Sequence, residues 1–185
     1  MDPGGDFEGV LAAAQEGADW AVAVLYRSMH SRLARYLYAR EPRVAEDLEG
    51  EVWLAVATGL GRFVGGEEAF RAWVFSIARR RLADFRRTAV RRATDPVPAE
   101  QLDRASPHDT ERIALDRLSA RDAAAFVNAT LPHDQAEVIL LRVLGGLDVD
   151  QVAALLGKRP GTIRVTQHRA LRRLNAALET RSVTR

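Results

Sequence analysis

Gly161, Thr162, Val165, His168, Arg169 and Arg172 recur at a spacing that puts them on one side of a helix, at ~100° per residue. The chemistry this face offers is recognition, with no bond making. Arginine forks match guanine edges or phosphates, and the methyl groups of Thr162 and Val165 suit thymine methyls. On the opposite side Ile163, Ala170, Leu174 and Ala177 form an apolar seam. A helix with one face to bury and one narrow cationic face fits a DNA major groove. The plain alternative is a helical hairpin with a solvated basic face.

Two further clusters carry chemistry. Arg71, Phe75, Arg79 and Arg86 lie on one side of an earlier helical stretch. An aromatic ring among arginines suits single-stranded nucleic acid, where bases stack and phosphates meet cations. The alternative places Phe75 in a core and leaves the arginines solvated. Asp47, Glu51 and Leu54 form an i, i+4, i+7 row beside Trp53. That row is either a solvated acidic face or a protein interface, where tryptophan is often a hot spot.

Catalysis has little to build on. His30, His108, His133 and His168 are scattered, with no pair at metal-ligand spacing. No glycine-rich loop leads to a phosphate-binding lysine, so Gly65–Gly66 reads as a turn, and no serine sits in a nucleophile elbow. With no cysteine in 185 residues, disulfides, thiol catalysis and cysteine-held zinc are excluded. The expectation is a non-enzyme with no cofactor and no metal.

The net charge of +2 conceals strong patterning. Residues 71–92 hold eight arginines and one acid, and residues 158–185 eight basic residues and one acid. Residues 41–51 hold five acids and one arginine. Two basic blocks imply two nucleic-acid footprints, and the acidic block implies a different partner. No apolar run approaches the ~20 residues of a membrane span, and no signal peptide opens the chain. A soluble, cytoplasmic protein with no membrane insertion is expected.

The elements that must position these clusters are helices. Residues 7–15 read as a short helix. Asp19 is placed to cap a long one running to about Arg40, with Val22, Leu25, Tyr26, Met29, Leu33, Tyr36 and Leu37 inward, and Pro42 breaks it. The next spans Val44 to Leu60, with Val44, Leu48, Val52, Val56 and Leu60 spaced by four, before a loop rich in glycine. A third starts near Glu67 and carries Phe70, Trp73, Val74, Ile77, Leu82 and Phe85 inward. Ala93–Thr110 has three prolines and no periodicity, so it reads as a linker. A helix from Glu111 to Thr130 follows, then one from Pro132 to Leu144 with Val138, Ile139 and Leu141 on its apolar face. Asp148 and Gln151 form a capping box. Val149, Val152, Ala153 and Leu156 then make one apolar face, Gly157 ends that helix and Pro160 starts the last. The fold class is all-α: two small helical domains joined by a flexible linker, the C-terminal one a helix-turn-helix.

Three blocks, in this order, resemble the extracytoplasmic-function (ECF) sigma factors of the sigma-70 family. Residues 45–56 (AEDLEGEVWLAV) resemble the family's polymerase-binding block, 70–87 (FRAWVFSIARRRLADFRR) its −10 element block, and 131–174 its −35 element block. The resemblance implies a region-2-type domain over 1–92, a linker over 93–112 and a region-4-type domain over 113–185. It implies a partner, bacterial core RNA polymerase, met through the β′ clamp helices by Asp47, Leu48, Glu51, Trp53 and Leu54 and through the β flap by the second domain. It implies promoter DNA as the other partner. Phe63, Arg71, Phe75, Arg79 and Arg80 would meet the −10 non-template strand. Arg159, Thr162, Arg164, Val165, His168, Arg169 and Arg172 would meet the −35 duplex. The family also includes members held by an anti-sigma factor. The sequence departs from the family pattern at Gly50, where glutamine is common, at Arg80, where asparagine is usual, and at Arg159, in place of a serine cap. Gln167 falls on the apolar seam and is either half-buried or directed at DNA. The residues alone also admit a free-standing helix-turn-helix regulator.

Overall fold

A computed structural model describes residues 7–94 and 122–183, and every regular element among them is helical. Four helices make the first unit: α1 (Phe7–Gln15), α2 (Asp19–Arg40), α3 (Ala45–Leu60) and α4 (Glu67–Thr94), with a short 3-10 turn at Pro42–Val44. Four more make the second: α5 (residues 122–130), α6 (His133–Val143), α7 (Val149–Leu156) and α8 (Pro160–Val183). The expected linker lies outside the described residues, except that residues 93 and 94 continue α4. So does the 111–121 part of the helix expected from Glu111.

Local chemistry sets the boundaries. Ala18, with extended backbone, caps α2 without a side-chain bond. Asp19 is therefore not the cap but a first-turn acid, where its charge favours the helix dipole. Pro42 lies in the 3-10 turn, and Val44 becomes the cap of α3. The capping box forms as the sequence predicts: Asp148 Oδ1 accepts from Gln151 N at 2.7 Å, and Gln151 Oε1 accepts from Asp148 N at 2.8 Å. Gly157 ends α7 at φ 63°, a left-handed conformation that favours glycine.

In the first unit Leu25, Met29, Leu33 and Leu37 of α2 pack with Leu48, Val52, Val56 and Leu60 of α3 and Phe70, Val74, Ile77 and Leu82 of α4. Val22 and Tyr26, expected inward, are 43% and 38% exposed. Ala21 takes an inner position instead, fully buried in the core. In the second unit Leu131, Ala136, Ile139, Ala170 and Leu174 form a cluster between α6 and α8.

The largest departure from the sequence pattern is in α6. Six consecutive residues, Ala136–Leu141, are buried, including Glu137. An amphipathic helix should bury one stripe. Here α8 covers one side and α2 of the first unit reaches the other, so the two units meet in a continuous apolar core.

Candidate nucleic-acid interfaces

Helix α8 presents its cationic face to solvent. Arg159 at its N-terminus, then Thr162, Arg164, Val165, His168, Arg169 and Arg172, are all exposed, with Val165 at 50%. Ile163 and Ala170 are fully buried behind them, and Leu174 nearly so. Burial of a side chain such as Ile163 is worth about 1.5–3 kcal/mol. That exceeds any preference of the surface charges, so the seam fixes which face looks outward. The carbonyl of Arg159 accepts from Thr162 N at 2.9 Å, so the backbone starts the helix without the usual serine. Gln167 is half-buried and accepts from Arg142 Nε at 3.3 Å. It braces α6 against α8 and is turned away from the exposed face.

Helix α4 is different. Phe75 is fully buried, edge-on to the Tyr36 ring with centroids 5.2 Å apart, and cannot stack on a base in this arrangement. Arg71 Nη1 donates to Gly146 O at 3.2 Å, and Arg71 Nη2 to Glu67 at 2.9 Å. Arg79 Nε donates to Glu137 at 3.0 Å and its Nη1 to Leu155 O at 2.6 Å. Arg86 Nε donates to Glu41 at 2.6 Å. Arg80 is exposed. The second unit therefore occupies the face that the sequence offered to single-stranded DNA. Phe75 is therefore core, and Arg71, Arg79 and Arg86 are paired rather than solvated.

An open hollow of ≈ 770 Å³ lies on the other side of α4. Phe63 stacks on Trp73 there, centroids 4.9 Å apart, with Leu54, Val64, Arg62 and Arg81 around it. Val64 is 91% exposed, an apolar side chain standing out of a glycine-rich loop.

On α3, Asp47, Glu51 and Leu54 are exposed, Leu54 at 71%. Leu48 is 3% exposed and belongs to the core, because it continues the spaced-by-four stripe with Val52. It supports the face without being part of it. Trp53 is half-buried; its ring lies 4.8 Å from that of Tyr26, and its Nε1 donates to Glu49 at 3.1 Å. His30 Nδ1 meets the same Glu49 carboxylate at 2.5 Å. Trp53 thus ties α3 to α2 more than it offers a free surface.

The residues no motif signalled are those joining the units. Glu137 is 7% exposed and accepts from Tyr36 Oη at 2.8 Å, Arg40 Nη2 at 2.9 Å and Arg79 Nε at 3.0 Å. Burial, then the Glu137 carboxylate, push the Tyr36 hydroxyl well above the usual phenol range. Tyr36 therefore stays protonated and donates. At the rim, burial first and then Arg40 and Arg86 lower His133 from the usual imidazole value. Among the described residues no group of His, Asp and Glu could hold a metal ion, and no helix is long and apolar enough to cross a membrane.

Residues 25–92 match the Sigma-70 region 2 family and residues 129–174 the Sigma-70, region 4 family. The ECF RNA polymerase sigma factor ShbA of Streptomyces griseus is 34% identical over 90% of this chain and 92% of its own. The ECF RNA polymerase sigma factor SigD of Mycobacterium tuberculosis is 33% identical over 90% of this chain and 81% of its own. Two solved structures share the fold. CnrH, solved with the cytosolic domain of CnrY, has a TM-score of 0.63 at 20% identity, over 97% of this chain and 99% of that one. The Bartonella quintana sigma factor RpoE, solved with the anti-sigma factor NepR, has a TM-score of 0.60 at 23% identity, over 83% and 95%. With two relatives above 30% identity across nine-tenths of its length and both family regions in order, the chain belongs to the ECF RNA polymerase sigma factors.

Proposed function

We propose that this chain binds bacterial core RNA polymerase in the cytoplasm and directs it to promoters, with no catalysis of its own. The observation that carries the reading is the α8 face: seven candidate −35 contacts all open to solvent, over an apolar seam that fixes their direction. In this reading residues 1–92 hold polymerase and the −10 element, 93–112 link, and 113–185 read the −35 element. Asp47, Glu51 and Leu54 meet the β′ clamp helices, with Leu48 and Trp53 holding the helix from behind. The second domain also meets the β flap.

Phe63 and Arg80 face the −10 strand from the outset; Arg71 and Arg79 do so once the second unit leaves α4. In this reading the loop from Gly61 to Ala69 captures a base flipped out of the −10 non-template strand, and extruding that base costs a few kcal/mol. Stacking on an aromatic ring returns about 1–3 kcal/mol per base, and the Phe63–Trp73 hollow with Arg62 and Arg81 at its edge is built for that exchange.

Run-off transcription with purified core polymerase tests the proposal. The expected result is promoter-dependent initiation only when the chain is added. No initiation on any genomic template would overturn it. Tight duplex binding without polymerase, at about 10⁻⁸ M or better, would instead favour a free-standing regulator.

A further inference from the structure

A cleft of ≈ 320 Å³ runs along the seam between the two units. At its rim His133, the first residue of α6, faces two guanidinium groups of the other unit. Its Nε2 lies within hydrogen-bond distance of Arg40 Nη2 and 3.0 Å from Arg86 Nη1. A guanidinium has no acceptor and keeps its proton. The imidazole nitrogen must therefore be the acceptor in both contacts, and it accepts only while it carries no proton.

We propose that His133 is a proton-sensitive latch: neutral, it ties α6 to Arg40 and Arg86 and holds the units closed over α4; protonated, it repels both arginines and releases them. The charges around it come from every element at the seam. Arg40 and the Tyr36 hydroxyl come from α2, Glu41 from the turn after it, Arg79 and Arg86 from α4, Asp134 and Glu137 from α6, and Lys158 from the turn before α8. Two of the cations, Arg40 and Arg79, already share the one Glu137 carboxylate, and Arg86 is held by Glu41. Asp134 and Glu137 favour a charged ring, but burial and the two facing arginines outweigh them.

The direction of the response follows from linkage. The closed chain binds a proton at His133 less readily than the open one, so closure is favoured above the ordinary imidazole value of about 6.5. It is lost as pH falls through the lower, closed-state value. Because the ring sits at the rim, a proton reaches it without prior opening. Opening would free Arg71 and Arg79; that consequence for DNA rests on the proposed function, but the latch itself does not.

The chain has no cysteine, so a fluorescent donor and acceptor can be placed by Arg27→Cys on α2 and Ala176→Cys on α8, both exposed. Energy transfer in the full chain is read from about pH 7.5 to pH 5.5, either side of the imidazole range. The expected result is high transfer at neutral pH, with the open population rising severalfold on acidification. The His133 ring resonances should titrate over the same range. His133→Gln keeps an acceptor without a titrating proton and should stay closed throughout. His133→Arg should be open throughout. A pH response retained in His133→Gln, a closed His133→Arg chain, or no response in the parent would each overturn the latch. Binding of a single-stranded DNA probe by the open His133→Arg chain then reads the function separately: open without binding leaves the latch standing and overturns the role of α4.

Discussion

Helices α4 and α8 carry the same residue type at similar helical spacing, yet one arginine face is open and the other is occupied. On α8 the apolar seam packs against α6 and α7 and nothing covers the outer side among the described residues. On α4 the inner side packs against α2 and α3, and the arginine side meets α6, α7 and the turn between them through Glu137, Leu155 O and Gly146 O. Gly146 sits at φ 65°, a left-handed conformation that favours glycine, and this turn brings its carbonyl to Arg71. A basic helix is thus a nucleic-acid surface only when no internal acceptor competes for its donors. Here the competitor is a carboxylate and two carbonyls, the same acceptor chemistry a phosphate strand would supply.

Removing that competitor has the largest expected effect. Glu137→Ala leaves Arg40, its side chain 3% exposed, without its carboxylate. Breaking one partner out of a buried pair costs about 3–5 kcal/mol, read by urea denaturation. The labelled chain should also open at neutral pH. A loss below about 1 kcal/mol, the scale of an exposed pair, would mean that Glu137 does not hold the α4 arginines, and the contrast between the two helices would fail.

The next test separates the faces by DNA. Arg169→Ala on the open face should weaken binding of the cognate −35 duplex by about 1–3 kcal/mol if it meets a base. Equal weakening on every sequence would make it a phosphate contact. Arg79→Ala should leave duplex affinity of the free chain unchanged, since its guanidinium is held by Glu137 and Leu155 O. A matching loss at Arg79 would show that the two faces act alike.

A smaller effect probes what the faces share. Gln151 closes the capping box of α7 and also donates to Glu68 O at 3.0 Å, at the start of α4. Asp148→Ala should cost about 1 kcal/mol of stability, measured by thermal unfolding. It should also slightly weaken −35 binding, because α7 orients α8. Lost stability with unchanged duplex affinity would show that α8 keeps its orientation without the cap.

How much of this was legible follows from the range over which each feature acts. Local features could be read directly: α1 falls on residues 7–15, Pro42 ends α2, and the Asp148–Gln151 box and Gly157 bracket α7. Each depends on neighbours within a few positions. The α8 face was legible too, because its seam and its cations share one helix. The α4 face was not. Tyr36 and Glu137 are 101 positions apart, and no periodicity tells α4 that its polar side will meet α6. The same limit hid Leu48, read as part of an interface, and Trp53, whose ring is taken up by Tyr26.

Gly50 provides the smallest effect and a scale for the others. It is exposed on α3, in a helical conformation, with no atom within 4 Å of where a Cβ would stand. A glycine in a helix interior costs about 0.5–1 kcal/mol relative to alanine, so Gly50→Ala should stabilise the chain by that amount, seen as a rise in Tm. Because a Cβ at Gly50 would touch no other element, energy transfer and −35 affinity should stay where they were. A stabilised but otherwise unchanged variant fixes the size of a pure backbone effect. Changes at Asp148 or Arg169 larger than this, or accompanied by altered binding, then belong to the contacts argued for them. Loss of stability at Gly50 would instead mean that the open space beside it is occupied in solution.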